Sequence, residues 1–315
     1  MRCVVAEGGA AVCAERPDPV PGTGELLVRV QAAAVNGADL QQVAGRYPVP
    51  AGLPADLLGL ESAGVVDAAG PGVTRFTPGD RVMAITSAAG QAELVVVHER
   101  LAMPVPDAMG WPEAGGFAEV FTTAHDALAT QCRLRCGERL LVNGAAGGVG
   151  VAAVQIGVAT GATVVASVRS ERLRPVLAGL GAIPAGPEEA FGLGPFDVVL
   201  ELVGAPNIGA DLDALAVGGR IAVIGVGAGS LGETDFRLLM SRRAAIHGST
   251  LRARPFEEKA LAARLVERHV LPLVEAGRVR VPVEATFSLE DCAAAYERFA
   301  AGGKLGKVVL VMDGR

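Results

Sequence analysis

Residues 140–168 read LLVNGAAGGVGVAAVQIGVATGATVVASV, a run of 29 residues without a charged side chain, bracketed by Arg139 and Arg169. An apolar run of about 20 residues is a candidate for a membrane-spanning helix. Gly157 and Gly161 even have the GxxxG spacing of packed membrane helices. Glycine argues against that interpretation, because each one costs a helix interior about 1 kcal/mol relative to alanine. The stretch therefore has to be judged by what its glycines do.

The same stretch divides into a strand, a glycine-rich turn, a helix and a second strand. Residues 139–143 and 162–168 are short apolar strand patterns, and residues 148–160 form a helical pattern. This is a βαβ unit of dinucleotide-binding size, with the turn sequence AxGGxG in place of GxGxxG. Gly147 lets backbone amides approach a pyrophosphate, and Gly150 allows close packing of helix on strand. We expect the pyrophosphate-binding turn to consist of Ala146, Gly147, Gly148 and Val149.

Length and charge limit the class of protein. A chain of 315 residues favours two domains, and a net charge of −6 argues against nucleic acid or anionic membrane as the main partner. The amino-terminal residues lack the apolar core of a secretory signal, so we expect a cytoplasmic protein. Five cysteines without paired spacing are typical of reduced thiols. Cys132 and Cys136 have half of a metal-site spacing, but no second pair accompanies them.

The sequence pattern differs between two parts of the chain. Residues 1–110 contain short alternating runs broken by Gly and Pro, which predict a mostly antiparallel β domain. From about residue 138, buried strand patterns alternate with helices, which predicts a doubly wound parallel sheet. After residue 283 the sequence pattern again resembles that of residues 1–110. The predicted nucleotide domain, residues 118–256, is therefore inserted into a first domain made of residues 1–117 and 257–315.

Coarse element boundaries follow from the same periodicities. The predicted strands after the opening unit are 196–203, 219–226, 244–249, 283–288 and 307–312. The predicted helices are 171–180, 207–217, 234–242, 256–276 and 289–302.

The end of the second strand predicts the type of cofactor. NAD-binding units usually carry Asp or Glu at this position, to bind the ribose 2′-hydroxyl. Here the strand is followed by Arg169, Ser170 and Arg172, and a guanidinium suits a 2′-phosphate. We therefore expect NADPH. The alternative, that these arginines only solvate the start of the next helix, stays open.

Several stretches together resemble the zinc-free quinone oxidoreductases, the zeta-crystallin-like branch of the medium-chain dehydrogenase/reductase superfamily. The similar segments are VNGADLQQVAGRYPVPAG (35–52), LLGLESAGVVDAAGPGVTRFTPGDRVMAI (57–85), VNGAAGGVGVAAVQIG (142–157), GSTLRARPFEEK (248–259) and GKLGKVVL (303–310). The resemblance implies that a Rossmann sheet is inserted into a GroES-like substrate domain. It also implies an NADPH–quinone oxidoreductase and a homodimer that continues the parallel sheet.

Zinc-dependent relatives bind their metal through a Cys in the segment matching 36–39 and a His just before a Glu. This chain has Asn36 in the first segment and Leu60 before Glu61, so both usual ligands are absent. Without that Lewis acid, the chemistry moves from alcohol oxidation toward substrates that accept hydride readily, such as quinones and α,β-unsaturated carbonyls.

The resemblance also implies site residues. Asn36 and Tyr47 line the substrate cleft as candidates to interact with the oxygen on which charge develops, and Thr123 lies in the segment beneath the nicotinamide together with Thr122. The remaining implied cofactor contacts are Gly225, Val226, Ser249, Thr250, Leu251 and Lys304. The relatives often have Asn where this chain has Lys304, so that contact is the least secure. Tyr47 could equally be a buried anchor for its loop.

Three functional hypotheses remain open. The first is reduction of a quinone by NADPH. The second is reduction of an enone or enoyl group on the same fold. The third is a cofactor-binding protein with little turnover, in a structural or RNA-binding role. The negative charge and the lack of a basic run weigh against RNA.

Overall fold

The computed structural model describes residues 1–312, so the last three residues of the predicted 257–315 segment lie outside it. In chain order the strands are Arg2–Glu7 (β1), Ala10–Glu15 (β2), Glu25–Val35 (β3), Glu61–Ala69 (β4), Arg81–Ile85 (β5), Leu94–His98 (β6), Ala102–Pro104 (β7), Arg139–Asn143 (β8), Thr163–Ser167 (β9), Ile183–Ala185 (β10), Phe196–Glu201 (β11), Leu215–Val223 (β12), Ala245–Gly248 (β13), Val283–Ser288 (β14) and Lys307–Val311 (β15).

The α-helices are Gly37–Val43 (α1), Trp111–Gly115 (α2), Ala118–His125 (α3), Gly148–Thr160 (α4), Arg174–Gly179 (α5), Pro187–Phe191 (α6), Ile208–Ala214 (α7), Phe236–Arg242 (α8), Phe256–His269 (α9), Leu271–Glu275 (α10) and Cys292–Ala300 (α11). Short 3-10 helices precede α5 and α7, and a π-helical segment, Asp126–Gln131, follows α3. Contacts divide the chain into two compact units. Unit 1 contains Met1–Thr122 and the chain from Arg252 onward, and unit 2 is Thr123–Leu251.

Unit 2 is built on a six-stranded sheet in the order β10-β9-β8-β11-β12-β13, and every pair in it is parallel. The chain runs outward from β8 in one direction and then returns to begin again at β11. The carboxyl ends of β8 and β11 therefore flank the point where strand order reverses, which is where ligands bind in open α/β sheets. Phe196, Leu141 and Ile221 lie in the apolar core against this sheet.

Unit 1 contains a seven-stranded sheet in the order β14-β15-β3-β4-β5-β7, with β6 paired to β3, and a separate β1-β2 ribbon. All of its pairs are antiparallel except β14 with β15. Its largest core cluster includes Leu26, Leu58 and Leu310. A parallel Rossmann-type sheet and a mostly antiparallel sheet therefore share one chain, which confirms the predicted fold class.

The opening stretch folds as the predicted βαβ unit, with β8, α4 and β9 close to the expected boundaries. Residues Gly150–Gly157 of α4 are buried, so this helix is apolar because it is covered by protein. Within residues 1–312, no helix combines the length and apolarity needed to cross a membrane.

Two element predictions were wrong in their boundaries. The helix predicted for 207–217 ends at Ala214, because Leu215 turns extended, is fully buried and pairs with Phe196 on β11. The helix predicted for 256–276 is interrupted at Val270, since Pro272 has no amide hydrogen to continue the helical ladder. From residue 138 onward, the strand β10 and the helix α6 had no predicted counterpart.

Candidate functional site

The turn between β8 and α4 presents free backbone amides. Gly147 is the N-cap of α4, no side chain caps the helix, and the first helical bond runs from the amide of Val151 to the Gly147 carbonyl (2.8 Å). The amides of Gly148, Val149 and Gly150 in the first turn are therefore left for another acceptor. The first turn contains no acidic side chain. Three donors and the positive end of a 13-residue helix fit the pyrophosphate of a dinucleotide.

The glycines of this turn have different roles. A Cβ on Gly150 would lie 2.4 Å from the Gly144 carbonyl oxygen, so only glycine allows the turn to fold back on the helix. Gly144 has a φ of +76°, a conformation that favours glycine. A Cβ on Gly147 would meet only an ordinary contact at 3.6 Å. Its bare backbone therefore leaves room for an approaching phosphate rather than for the protein itself.

The positions implied for the adenosine end of the cofactor follow β9. Arg169 is exposed and makes no hydrogen bond or ion pair with another residue in the range 1–312. Ser170 is the N-cap of the 3-10 helix Glu171–Leu173, which contains Arg172. Two guanidinium groups and a hydroxyl thus follow the strand at the place where an acidic residue would select NAD.

The other cofactor candidates of unit 2 lie just after β12 and β13. Gly225 is packed so that a Cβ would stand 2.4 Å from the Leu202 carbonyl oxygen, and Val226 is half exposed. The hydroxyl of Ser249 donates to Asp126 Oδ2 at 3.0 Å, and Thr250 and Leu251 follow it. Each predicted segment therefore lies at a carboxyl end of the parallel sheet.

A buried acidic cluster supports the strand ends at the reversal point. Asn143, the last residue of β8, donates to Glu201 Oε2 (2.7 Å) and Asp211 Oδ1 (2.8 Å). Glu201 also accepts the amides of Val203 and Gly204 through its other oxygen. Burial, reinforced by the charge of Glu201, raises the pKa of Asp211 to about 8. Asp211 is therefore protonated at neutral pH, and the cluster carries one negative charge rather than two.

A second buried polar cluster lies in unit 1 around Asn36. Lys307 Nζ donates to Asn36 Oδ1 (2.6 Å) and to Glu61 Oε1 (2.7 Å). Asn36 Nδ2 donates to the same Glu61 oxygen at 2.9 Å, and the amide of Glu119 donates to Glu61 Oε2 at 2.8 Å. Glu61 is fully buried and Lys307 is 2% exposed.

This arrangement fixes the Asn36 amide in one orientation. Its oxygen is occupied by an ammonium and one of its two amide hydrogens by a carboxylate. The remaining bonding capacity of the amide nitrogen is a single N–H. Asn36 can therefore act on a ligand as a hydrogen-bond donor, which suits an oxygen that gains negative charge.

Asp39 continues this polar cluster into the core. It accepts the amides of Asn36 (2.8 Å) and Gly59 (3.2 Å) and the side chain of Gln91, which in turn accepts from Tyr296. Burial nevertheless raises the pKa of Asp39 to about 7. The carboxyl group is an anchor for the first turn of α1, since both of its oxygens face protein donors.

Tyr47 lies against a buried cation. The Arg252 guanidinium carbon is 5.0 Å from the centre of the Tyr47 ring, within the range of a cation–π contact. The ring is therefore placed beside a charged group in unit 1.

The remaining predicted residues have the following surroundings. Thr123 is 9% exposed, and the hydroxyl of Thr122 is buried without a hydrogen-bond partner in the range 1–312. Lys304 lies 4.0 Å from the centre of the Phe299 ring, and burial together with Lys307 and Arg298 lowers its pKa to about 8. Within residues 1–312, no three His, Cys, Asp or Glu side chains are grouped so as to hold a metal ion.

Sequence reasoning missed Lys307, Asp39, Arg252, Glu201 and Asp211. For Lys307 a signal was present: only three lysines occur in a chain whose other cations are arginines. All three, Lys259, Lys304 and Lys307, are at least partly buried. Glu201 also had a signal, because it closes an otherwise apolar strand pattern.

Two family models match the chain: the alcohol dehydrogenase GroES-like domain over residues 22–132, and the zinc-binding dehydrogenase over residues 160–310. The Quinone oxidoreductase of Rattus norvegicus is 30% identical over 311 residues, which cover 93% of this chain and 91% of the rat protein. The Pikromycin polyketide synthase component PikAII of Streptomyces venezuelae is 35% identical over 312 residues, which cover 94% of this chain and 8% of that protein.

Solved structures extend the similarity to three dimensions. A quinone oxidoreductase of Pseudomonas syringae has a TM-score of 0.86 at 25% identity, covering 98% of this chain and 99% of that one. A mycobacterial protein complexed with NADPH has a TM-score of 0.87 at 27% identity, covering 99% of this chain and all of that one. These matches run through both units, so they bear on the nucleotide site and on the Asn36 cluster together.

Proposed function

Because the chain belongs to the quinone oxidoreductase branch of the medium-chain dehydrogenase/reductase superfamily, we propose that it reduces quinones with NADPH and without zinc. The single observation that carries the proposal is the Asn36 amide, held as a hydrogen-bond donor by Lys307 and Glu61. A quinone that accepts hydride develops negative charge on oxygen and needs such a donor.

The choice of NADPH rests on the residues that follow β9. Arg169 is exposed, free of protein partners in the range 1–312 and followed by Ser170 and Arg172. A guanidinium pairs well with a phosphate dianion, whereas the ribose hydroxyl of NADH gives it no charge to bind. The free amides at the start of α4 would hold the pyrophosphate in either cofactor.

Zinc independence is supported by what replaces the metal ligands. Asn36 and Leu60 stand where zinc-dependent relatives carry Cys and His. In addition, Lys307 already brings a positive charge to Asn36 and Glu61, at 2.6 and 2.7 Å. A second cation beside a buried ammonium would be repelled, so the chain supplies its own charge where a metal would otherwise be bound.

NADPH, when bound, would supply the hydride for the quinone ring. Asn36 donates its free N–H to the oxygen that becomes negative, and Glu61 and Lys307 keep the amide from rotating. Tyr47 would contact the ring of the substrate, and Thr123 would contact the nicotinamide. Further cofactor contacts would come from Gly225, Val226, Thr250, Leu251 and Lys304.

The test is a panel of quinones and enones with both cofactors. We expect quinone-dependent oxidation of NADPH that survives treatment with a chelator, and a kcat about 100-fold lower in Asn36→Ala with little change in the Kd for NADPH. Elemental analysis checks the metal directly. One tightly bound zinc per chain, or no quinone-dependent rate above background, would show the proposal to be wrong.

A second candidate is reduction of an α,β-unsaturated carbonyl. The 35% identity to a polyketide synthase component is the observation that favours it. The chemistry at Asn36 is the same, since hydride addition to an enone also places charge on oxygen. In the panel, an enone rate above the quinone rate would select this candidate, and the absence of both rates would favour a binding role.

We also propose a homodimer and a cytoplasmic location. The strand β13 forms an edge of the unit 2 sheet, and Ile246 on it is 39% exposed. Nearby in sequence, Phe236 and Met240 of α8 are 69% and 75% exposed. Exposed apolar side chains beside an unpaired strand edge suit pairing with a second copy. Light scattering measures whether the protein has twice the mass of one chain.

A further inference from the structure

Arg252 is a buried cation whose partners are all neutral. It is 6% exposed, its Nε donates to the Ser87 carbonyl (2.9 Å), and its Nη2 donates to Gln42 Oε1 (2.8 Å). Its third nitrogen, Nη1, is buried and has no hydrogen-bond partner within residues 1–312. No carboxylate in that range forms an ion pair with it.

The contrast with Lys307 shows how unusual this is. The Lys307 ammonium is also buried, but a carboxylate lies 2.7 Å from it. Arg252 feels Asp39 and Glu119 only through space, and burial lowers the pKa of its guanidinium. A buried charge without a counter-ion is costly to the fold. A ligand that brings negative charge would offset that cost.

The geometry limits which ligand can do so. Nε and Nη2 each already donate one hydrogen bond, so Nη1 is the guanidinium nitrogen without a partner within residues 1–312, and the Tyr47 ring centre lies 5.0 Å from the guanidinium carbon. A carboxylate or phosphate is best held by two parallel N–H groups, one from each of two nitrogens. The nitrogen that has no partner lies beside an aromatic ring, which suits one oxygen on a flat, conjugated molecule.

We infer that Arg252 Nη1 donates a second hydrogen bond, in addition to that of Asn36, to the substrate oxygen on which negative charge develops, with the substrate ring beside Tyr47. This inference rests on the proposed function. The bound cofactor would supply the hydride and be oxidised to NADP⁺. When the hydride adds to a ring or alkene carbon, the π electrons would move onto the conjugated oxygen, and a proton from water would complete the product. The fixed charge of Arg252 then does for the oxygen what a Lewis acid would do.

The probe for this site is 4-nitrophenol, whose phenolate carries one charged oxygen on a flat ring and absorbs visible light. We expect the unmodified protein to bind it as phenolate and to bind neutral 4-nitroanisole more weakly. Arg252→Gln should lower the phenolate affinity by about 10- to 100-fold, the range for a hydrogen bond to a charged group. Arg252→Lys, which keeps the charge, should lower it less.

The matched control is Arg264→Gln in unit 1. Arg264 also donates to a backbone carbonyl, that of Ala102, and has a buried unpartnered Nε, but it pairs with Glu267. Its loss should leave phenolate binding unchanged. Thermal unfolding of each variant checks that it is folded, and Arg252→Lys serves alone should Arg252→Gln not fold.

Three results would overturn the inference. The first is equal phenolate affinity in Arg252→Gln and the unmodified protein. The second applies if only Arg252→Lys folds, and is equal phenolate affinity in that variant and the unmodified protein. The third is Arg252-dependent binding of benzoate or inorganic phosphate that is tighter than the binding of the phenolate. Because phenolate binding is measured without turnover, the two proposals fail separately. A protein that binds phenolate through Arg252 but reduces no quinone would keep the oxygen site and lose the proposed function.

Discussion

The two buried acidic clusters solve the same electrostatic problem in different ways. Glu61 in unit 1 and Glu201 in unit 2 are both fully buried, and each accepts an asparagine side chain. Glu61 faces the ammonium of Lys307, whereas Glu201 has Asp211, another acid, beside it. The first cluster is neutralised by a cation and the second by a retained proton.

The retained proton makes the second cluster responsive to pH. In the first cluster the Asn36 amide is oriented by its bonds to Lys307 and Glu61. The Asp211 proton is lost as the pH rises through about 8, and two negative charges then share a buried space. The cluster at the end of β8, beside the glycine-rich turn, therefore changes its charge near pH 8.

The largest expected effect comes from removing the cation. Lys307→Met leaves Glu61 buried and unpaired, which should cost about 3–5 kcal/mol of unfolding free energy. Urea unfolding measures the loss. The double variant Lys307→Met/Glu61→Gln should regain most of it, because no charge is then left unpaired. Arg298→Met, which breaks the half-buried pair with Glu284, is the control and should cost about 1 kcal/mol or less.

A loss below about 1 kcal/mol in Lys307→Met would mean that Glu61 takes up a proton when its cation is removed. Both clusters would then be able to neutralise a buried carboxylate with a proton.

The next effect tests the retained proton. The folded-state pKa of Asp211 is raised from 3.8 to about 8, so its contribution to stability is complete below about pH 4 and is lost as the pH rises through about 8. Asp211→Asn stays neutral, so the fall in unfolding free energy between pH 5 and 9 should be smaller in this variant, by about 4 kcal/mol at most. Urea midpoints at pH 5, 7 and 9 measure it.

Asp213→Asn is the matched control, because Asp213 is exposed on the same helix, α7. Its pH profile should follow that of the unmodified protein. If Asp211→Asn and the unmodified protein had parallel profiles, the fold would not depend on a proton retained by Asp211.

The smallest effect is expected at an exposed charge. Arg169→Ala should lower the preference for NADPH over NADH by about 3- to 10-fold, or about 1 kcal/mol, because a solvated guanidinium contributes little. Cofactor titration at two salt concentrations measures it, and the preference should weaken with salt. Arg135→Ala, an exposed arginine before β8, is the control. Equal affinities for the two cofactors in the unmodified protein would contradict the assignment.

The parts of the fold that could be predicted are those written in local patterns. The opening βαβ unit, the parallel sheet and the antiparallel sheet follow from periodicity and glycine placement over about 30 residues at a time. The break at Val270 was harder, because Pro272 lies within a pattern that is otherwise helical. The extra strand residues of β12 come from a bulged pairing with Phe196, which has no local signal.

Of the Asn36 cluster, only Asn36 itself could be predicted from the sequence. Asn36 stands out because a metal ligand is missing there, but its partner Lys307 is 271 residues away in the chain. Arg252 reaches Gln42 across 210 residues, and Asn143 reaches Asp211 across 68. Pairings of this kind depend on the sheet order, which periodicity alone does not supply.

The scarcity of lysine makes the chain a selective target for amine-reactive labels. Lys304, with a pKa near 8, is about half uncharged at pH 8 and should be acylated in the folded protein. The side chain of Lys307 is 3% exposed and tied to Glu61, so it should react only when β15 leaves the sheet. The rate of Lys307 acylation, followed by mass spectrometry, therefore reports the rate at which unit 1 opens.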